Sequence, residues 1–250
     1  MTKREEQLLI GIHPVASALD NTPQQVSRLI IATEARNSRV LELEQQAQKL
    51  GIAVERSDRS VLDRRSSGER HQDVLAQFNA ENIWAERDLE RLVSAIGGQP
   101  FILVLDGVQD PHNLGACLRS AEAGGVQLVI VPKDRSASLS PVARRAAAGA
   151  AEVLDIVVVT NLARVLRKLK DLGIWLAAAA DQASSEIQVT DLRGPLGLVM
   201  GGEGQGVRRL TSDLCDYHVR IPMYGTVSSL NVSVATAICI YEINRQRHSK

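Results

Sequence analysis

The chain has 250 residues, of which 44% are hydrophobic and 23% charged, and its formal net charge is zero. This composition is typical of a folded protein of one or two domains and argues against a disordered chain. Apolar runs such as residues 174–180 are much shorter than the ~20 residues of a membrane-spanning helix. The charged start, residues 1–6, lacks the apolar segment of a secretory signal. We therefore expect a cytoplasmic protein that does not enter the membrane.

Charge and cysteine content further limit the classes of protein to which the chain can belong. Residues 1–96 and 97–250 are each close to neutral, so binding of a nucleic acid would depend on local arginine clusters rather than on overall charge. The three cysteines are scattered and form no Cys-x-x-Cys pair, and the five histidines show no ligand spacing. We predict that the cysteines are small buried side chains in a reduced compartment and that the protein needs no metal.

The sequence divides into two α/β parts. In residues 1–78, short apolar segments typical of strands alternate with helical patterns, most clearly over residues 39–50, after which Gly51 marks the helix end. Residues 79–99 are predicted to be a linker, because they begin with a polar run and close on glycine and proline. Their helical pattern over residues 86–96 carries apolar side chains, which indicates that this helix docks on another element.

Residues 100–250 alternate more regularly between strands and helices. The predicted strands are continuous apolar runs, which is typical of a parallel sheet covered by helices on both faces. The predicted strands lie at residues 101–108, 127–131, 154–159, 174–180, 196–200 and 217–222. The predicted helices begin at Leu114, span 141–148 and 162–172, and end with one from about Leu230 to Arg247. The fold class is therefore α/β, with an open, mostly parallel sheet.

The first of three motifs lies at residues 110–121, between a strand end and a helix. Ligands of open α/β sheets gather at the carboxyl ends of strands, where this loop is expected. Asn113 suits the N-cap of the helix, and Arg119 follows about a turn and a half later. Taken alone, this pair could equally be a helix cap and a surface cation.

The second motif is the glycine-rich turn at residues 198–207, directly after an apolar strand. Glycines there allow a ligand to approach the backbone closely. The spacing matches neither common nucleotide pattern: Val207 replaces the last glycine of the dinucleotide motif, and Val207 with Arg208 replaces the lysine and hydroxyl residue of the Walker motif. Phosphate cradling is therefore disfavoured.

The third motif runs from a strand ending at Pro222, through a hydroxyl-rich loop, into the last helix. Ser228 or Ser229 could simply cap that helix. Asn231 is predicted one turn inside it, where a polar amide among apolar residues is a poor helix former that needs a partner. Asn231 is therefore a candidate functional residue.

Together the three motifs are far more specific than any one of them. The segments NLGACLRSAE, GLVMGGEGQGV and IPMYGTVSSLNVSVATAICIYE resemble, in order and spacing, the motifs of the SpoU branch of the SPOUT methyltransferases. The resemblance covers roughly residues 100–247. Residues 11–15 and 71–74 are similar to parts of the RNA-binding domain that precedes the catalytic domain in bacterial members.

The resemblance implies a fold, a cofactor and partners. It implies an RNA-binding domain over residues 1–78 and a catalytic domain over residues 100–250 that contains a trefoil knot, one of the rare exceptions to unknotted topology. It further implies a homodimer, with S-adenosylmethionine bound in the knot. Backbone groups that would hold this cofactor belong to Gly201, Gly202, Ile221, Met223 and Leu230. The catalytic and RNA-facing side chains would be Asn113, Arg119, Glu203, Ser229 and Asn231.

The implied reaction is methylation of the ribose 2′-OH of a guanosine in the P-site loop of 23S rRNA. A 2′-OH is a poor acid, so the reaction needs alignment with the methyl group and stabilisation of developing negative charge. Arg119 is assigned to this stabilisation and to phosphate or ribose positioning, because a guanidinium hardly ever loses its proton. Glu203 would orient Arg119 or Asn113, and the general base stays unassigned.

Two other functions remain open from the sequence. The same motifs occur in SpoU enzymes that methylate tRNA, although the N-terminal domain favours rRNA. Outside the enzyme class, the chain could be a non-catalytic RNA-binding protein whose C-terminal part serves only for dimerisation. Binding of S-adenosylmethionine would exclude this last function.

Overall fold

The computed structural model describes residues 7–78 and 82–249, which form two α/β units. The strands of the smaller unit are Gln7–Ile10 (β1), Val26–Ala32 (β2), Ala53–Ser57 (β3) and Val74–Phe78 (β4). They pair in the order β1-β4-β2-β3, and only β2 and β3 run parallel. The helices of this unit are Ile12–Asn21 (α1), Ser38–Lys49 (α2) and Arg59–Arg65 (α3). Strand β1 ends at Ile10 because Gly11, with φ of 96°, turns the chain into α1.

The larger unit is built on eight strands. These are Ile83–Ala85 (β5), Phe101–Asp106 (β6), Leu128–Pro132 (β7), Asp155–Val159 (β8), Trp175–Ala179 (β9), Ser185–Glu186 (β10), Leu196–Gly201 (β11) and Tyr217–Arg220 (β12). They pair in the order β10-β12-β9-β11-β6-β7-β8-β5, and every pairing is parallel. The predicted open parallel sheet is therefore confirmed.

Helices cover both faces of this sheet and bury its continuous apolar strands. One face packs against Leu89–Ile96 (α4) and Leu162–Asp171 (α8). The other face packs against Pro111–Ala123 (α5), Pro141–Ala147 (α6), Ala150–Val153 (α7) and Val232–His248 (α10), and the one-turn helix Arg209–Ser212 (α9) follows β11. Among residues 7–78 and 82–249, no helix has the length and apolar character needed to cross a membrane.

Helix α5 begins earlier than the sequence indicates. Its N-cap is Asp110, whose carboxylate accepts a hydrogen bond from the His112 backbone N–H at 2.9 Å, and Pro111 occupies the first helical position. The prediction that Asn113 caps this helix is therefore wrong. Because Asp110 caps the helix, the Asn113 side chain is available for other partners.

Helix α10 begins at Val232, and Asn231 is its N-cap. The Asn231 Oδ1 atom accepts from the Ser233 N–H at 2.9 Å and from the Ser233 hydroxyl at 2.6 Å. The prediction that Asn231 lies inside the helix is wrong, and so is the alternative that Ser228 or Ser229 caps it. An asparagine that satisfies an otherwise unpaired N–H at a helix start is stabilising rather than unfavourable there.

Much of the segment predicted as a linker packs into the larger unit. Strand β5 pairs with β8 and forms one edge of the sheet, and the Trp84 indole N–H donates to Asp155 at 2.6 Å. On α4, the side chains of Leu89, Leu92 and Val93 are buried in the core shared with α8. The helix therefore docks, as its apolar side chains indicated, and residues 82–96 belong structurally with the larger sheet.

This packing predicts where the larger unit can be separated. We expect a chain of residues 82–250 to keep its core, whereas a chain of residues 97–250 loses α4 and β5. Burying a Leu or Val side chain stabilises a fold by about 1.5–3 kcal/mol, so the three α4 residues account for roughly 5 kcal/mol. Thermal unfolding of the two truncated chains tests this expectation. Equal melting temperatures would show that α4 contributes nothing.

The two units touch at the turn between α6 and α7. The Ser17 hydroxyl of α1 donates to the Gly149 carbonyl at 3.2 Å, and Arg145 forms an ion pair with Glu69. Arg144 is buried at this contact and pairs with Glu152 at 2.9 Å, where burial raises the pKa of the Glu152 carboxyl. Helix α6, which carries both arginines, packs on α5 and so connects the smaller unit with the helix of the first motif.

Candidate active site

A cavity of about 610 Å³ opens at the carboxyl ends of β9, β11 and β12. Its volume is in the range of small-molecule sites, and its place is where open α/β sheets bind ligands. Its walls come from residues 179–182, 200–207, 219–221 and 229–232, with Ala235 of α10. The second and third sequence motifs therefore form most of one cavity.

The glycine turn after β11 is tight enough to exclude side chains. A Cβ atom on Gly201 would lie 1.9 Å from the carbonyl carbon of Gly206, and one on Gly202 would lie 2.2 Å from the carbonyl oxygen of Gly107. The Gly202 N–H donates to the Asp106 carbonyl at 3.1 Å, and the Gly206 N–H donates to the Gly202 carbonyl at 3.1 Å. Glycine at these two positions therefore lets the backbone itself form the cavity wall.

A buried ion pair fixes the far end of this turn. The Asp106 side chain, at the end of β6, is fully buried and accepts hydrogen bonds from the Arg208 backbone N–H at 3.0 Å and from its Nε at 2.6 Å. The Arg208 guanidinium also donates through Nη2 to the same carboxylate. Such a forked, charge-assisted contact is rigid, so it holds the turn against β6.

A chain of hydrogen bonds joins the three motifs at the cavity rim. The Asn231 Nδ2 donates to Asn113 Oδ1 at 3.0 Å, and the Asn113 Nδ2 donates to the Glu203 carboxylate. Asn231 and Glu203 also line the cavity. The structure thus brings these three residues together, with Glu203 bonded to Asn113 rather than to Arg119.

The other predicted site residues lie differently. Ser229 and the predicted cofactor residues Gly201, Gly202, Ile221 and Leu230 line the cavity, whereas Met223 does not. Arg119 is exposed on α5, six residues beyond Asn113, and it is not among the residues that line the cavity. Within residues 7–78 and 82–249 it makes no hydrogen bond or ion pair.

Sequence reasoning missed two parts of the site. Residues 179–182, including Asp181 and Gln182, follow β9 and line the cavity because β9 lies beside β11 in the sheet. The Asp106–Arg208 pair joins residues far apart in the chain, and no sequence motif links them. Only the rule that strand ends share one edge could have indicated residues 179–182.

The cavity combines an apolar wall with polar groups. Its apolar side chains are Met200, Val219, Ile221, Leu230 and Val232, and its polar side chains include Asp181, Gln182 and Gln205. This combination suits a ligand with a flat apolar part and a polar or charged tail. In the described part of the chain, no group of three or more His, Cys, Asp or Glu residues is placed to hold a metal ion.

The nearby cysteines are not suited to nucleophilic chemistry. Burial raises the pKa of the Cys117 thiol to about 11 and that of the Cys239 thiol to about 12. Both side chains are fully buried, as predicted, while Cys215 is half-buried. The candidate reactive groups are therefore the hydrogen-bonded residues Asn231, Asn113 and Glu203 and the side chains of the cavity wall.

The fold and site define an α/β protein with a cavity of small-molecule size against a glycine turn. The hydrogen-bonded residues Asn231, Asn113 and Glu203 lie at the rim of this cavity. Comparison with known families gives the class. Residues 100–241 match the SpoU rRNA Methylase family, and residues 8–84 match the family of RNA 2′-O ribose methyltransferase substrate-binding domains. The chain belongs to the SpoU rRNA methylase family.

Individual relatives agree with this assignment. The chain is 48% identical to the 23S rRNA (guanosine-2′-O-)-methyltransferase RlmB of Xanthomonas campestris pv. campestris, over 98% of each chain. It superposes on the SpoU methyltransferase AviRb from Streptomyces viridochromogenes in complex with AdoMet, at a TM-score of 0.81 and 26% identity, over 98% of this chain and 92% of that one. A TrmH/SpoU tRNA modifying enzyme of A. aeolicus is 32% identical but covers 65% of this chain and 83% of its own, at a TM-score of 0.55.

Proposed function

We propose that this chain transfers a methyl group from S-adenosylmethionine to the ribose 2′-OH of a guanosine in 23S rRNA. The observation that carries the proposal is the hydrogen-bonded chain Asn231–Asn113–Glu203, which joins all three motifs at the rim of the ligand cavity. The relative that matches almost the whole chain at 48% identity is named for this activity. The position of the guanosine in the P-site loop stays a prediction, and so does a cytoplasmic location.

The residues of the cavity fit S-adenosylmethionine. Gly201 and Gly202 offer bare backbone to the cavity, because a Cβ at either position would clash with the backbone of the turn or of Gly107. Ile221 and Leu230 supply apolar contacts suited to an adenine ring. When bound, this cofactor supplies a methyl group on a sulfonium centre. Met223 lies two residues beyond Ile221 and outside the cavity lining, so its part in cofactor binding stays a prediction.

The hydrogen-bonded chain Asn231–Asn113–Glu203 is suited to hold the ribose. Asn113 is fixed at both ends of its amide, by Asn231 and by Glu203, so its orientation is set before the substrate arrives. Ser229 lines the cavity, and its hydroxyl has no partner in the described part of the chain. Preorganised polar groups of this kind align the 2′-OH without reorganising during the reaction. The general base stays unassigned.

Substitutions of Asn231 test whether its hydrogen bond to Asn113 has a function beyond the capping of α10. Asn231→Ala removes both the cap and the donor to Asn113, so we expect about 1 kcal/mol lower stability and at least tenfold lower activity, about 1.4 kcal/mol in the barrier. Asn231→Asp keeps an acceptor for the Ser233 N–H but loses the donor. We expect this variant to have near-normal stability and reduced activity, measured by thermal unfolding and single-turnover methylation. Full activity of Asn231→Asp would leave the residue with the capping role alone.

We further propose that the chain acts as a homodimer through α10. Val234, Ile238 and Tyr241 stand four and three residues apart on this helix, and they are 47%, 39% and 57% exposed. This spacing places them on one face, which forms an apolar stripe suited to a second copy. Because Arg119 lies outside its own cavity, on the helix that packs against α10, we propose that it serves the cavity of the other copy.

Mapping of 2′-O-methylation tests the substrate. In cells lacking this protein, we expect one 23S rRNA guanosine to lose its methyl group and to regain it only when an active chain is returned. Loss of methyl groups from tRNA alone would instead support the alternative function, methylation of tRNA. The tRNA modifying enzyme of A. aeolicus matches only part of this chain. If no methyl group is lost and calorimetry finds no binding of S-adenosylmethionine, the chain is a non-catalytic RNA-binding protein.

A further inference from the structure

Two smaller cavities continue from the main one along the same sheet edge. The first, of about 260 Å³, shares Gly202, Glu203 and Gln205 with the main cavity and adds Arg135 and Arg208. The second, of about 360 Å³, lies at the ends of β7 and β8 and shares Arg135 and Arg208 with the first. Together they form one groove that starts beside Glu203 of the polar chain. We call these two cavities the Arg135 groove.

The junction of the two cavities carries two arginines with different environments. Arg208 is anchored on the buried Asp106, yet its side chain remains 37% exposed. Arg135 is exposed and makes no ion pair with any residue that the structure describes. The acidic side chains of the groove are Asp106, Asp134 and Glu203, of which Asp106 pairs with Arg208 and Glu203 bonds to Asn113. Arg135 is therefore an unneutralised cation beside an anchored one, which suits a phosphate.

Arg135 is also held in an unfavourable backbone conformation. Its φ is 58°, in the left-handed region that residues other than glycine rarely adopt. Hydrogen bonds fix the chain on both sides: the Lys133 N–H donates to the Val159 carbonyl at 2.8 Å, and the Ala137 N–H donates to the Val108 carbonyl at 2.8 Å. Strained side-chain-bearing residues concentrate at functional sites, where the surrounding structure imposes the conformation.

The far cavity has the composition of a nucleotide site. Leu210 lines it and is 60% exposed, which is unusual for a large apolar side chain, and Pro132 adds apolar surface. Asp134 and Asn161 line the same space and offer a carboxylate and an amide. Unpaired RNA bases are recognised by apolar or stacking contacts to the ring and hydrogen bonds to the edges. A carboxylate accepts from base amino groups, so Asp134 favours a base that carries one.

We propose that the Arg135 groove binds the single-stranded nucleotide next to the methylated one, with its phosphate on Arg135 and Arg208 and its base between Leu210 and Asp134. The proposal rests on the proposed function, because the groove is continuous with the methyl-transfer cavity. The groove then contributes to the choice of the methylated position, since the enzyme reads a neighbouring base as well as the target.

Kinetics on a short 23S rRNA fragment test the phosphate contact. Arg135→Gly removes the cation and relieves the left-handed strain, so the fold is not put at risk. We expect KM for RNA to rise at least tenfold, kcat to change less than threefold, and the affinity for S-adenosylmethionine to stay the same. The slope of log KM against log salt concentration should fall by about 1, the value expected for one lost phosphate contact. Arg167→Ala on α8, an exposed arginine that also makes no ion pair within the described ranges, is the matched control and should change neither quantity.

A second variant and a shortened RNA locate the contact. Asp134→Asn should alter the preference among bases at the neighbouring position and leave the salt slope unchanged. When the RNA lacks that nucleotide, wild type and Arg135→Gly should have equal KM values. An unchanged KM in Arg135→Gly, or an equal rise of KM in Arg167→Ala, would contradict RNA binding in the Arg135 groove. Methylation of the fragment by the wild type would in that case still support the proposed function. Absence of wild-type methylation of any RNA is instead a failure of the proposed function.

Discussion

Arg119→Ala should lower the rate of methyl transfer 100- to 1,000-fold, the usual loss when a preorganised charge-stabilising group is removed. The affinity for S-adenosylmethionine should change by no more than a few-fold, because the proposed role of Arg119 concerns the ribose and phosphate of the RNA rather than the sulfonium of the cofactor. The fold should be unaffected, since the side chain is exposed and leaves no unpaired buried group behind. Single-turnover rates and calorimetry measure the two quantities. An active Arg119→Ala enzyme would remove Arg119 from the mechanism.

Two controls sharpen this expectation. Arg119→Lys should not restore the rate, because an ammonium lacks the planar fork that binds ribose and phosphate oxygens together. Mixing Arg119→Ala with a chain that cannot bind the cofactor should restore activity if Arg119 serves the other copy, because the mixed dimer then contains one complete site. If Arg119 served its own cavity, the mixture would stay as inactive as its components.

Gly202→Ala should be such a cofactor-deficient chain. A Cβ atom at this position would lie 2.2 Å from the Gly107 carbonyl oxygen, and backbone on both sides cannot move away easily. We expect the glycine turn to be displaced and the Kd for S-adenosylmethionine to rise at least 100-fold, about 2.8 kcal/mol of binding free energy. Calorimetry measures the affinity, and circular dichroism checks that the fold is retained.

The matched control for this change is Gly225→Ala in the loop before α10. A Cβ there would meet no atom within 4 Å, and the residue has no positive φ. Its cofactor affinity should stay close to that of the wild type. A Gly202→Ala chain that binds the cofactor normally would show that the turn adapts, and the backbone-cradle argument would then be wrong.

The larger sheet could be predicted from the sequence because burial on both faces leaves continuous apolar runs, as in β6 and β8. Edge strands β5 and β10 span only three and two residues, which is too short to leave a pattern. The helix starts were less predictable, because Asp110, Asn113, Ser229 and Asn231 are all acceptable caps by residue type. Only the surrounding structure decides which of them accepts the first unpaired N–H groups.

The candidate site was predictable to the extent that its residues fall in sequence motifs. Gly201 and Glu203 belong to the second motif and Asn231 to the third, and the structure places all three around one cavity. Asn113 of the first motif is hydrogen-bonded to Glu203 and Asn231 at its rim. The outward position of Arg119 was not predictable, since a helical residue can face the cavity or the solvent. Arg135 belongs to none of the sequence motifs. Its proposed role in RNA binding rests on its positive φ and on the two cavities that meet beside it.

The strand order of the larger sheet also has consequences for how the chain folds as it is synthesised. The smaller sheet is complete once Phe78 has been made, whereas β6 must wait for its partner β11, with Phe101 in register with Leu196. Pairings between residues 95 positions apart close long loops and are slow to form. The N-terminal unit should therefore be folded on the ribosome while the apolar strands β6, β7 and β8 still lack β11. During that interval the exposed edge of β6 is the part of the chain most open to aggregation.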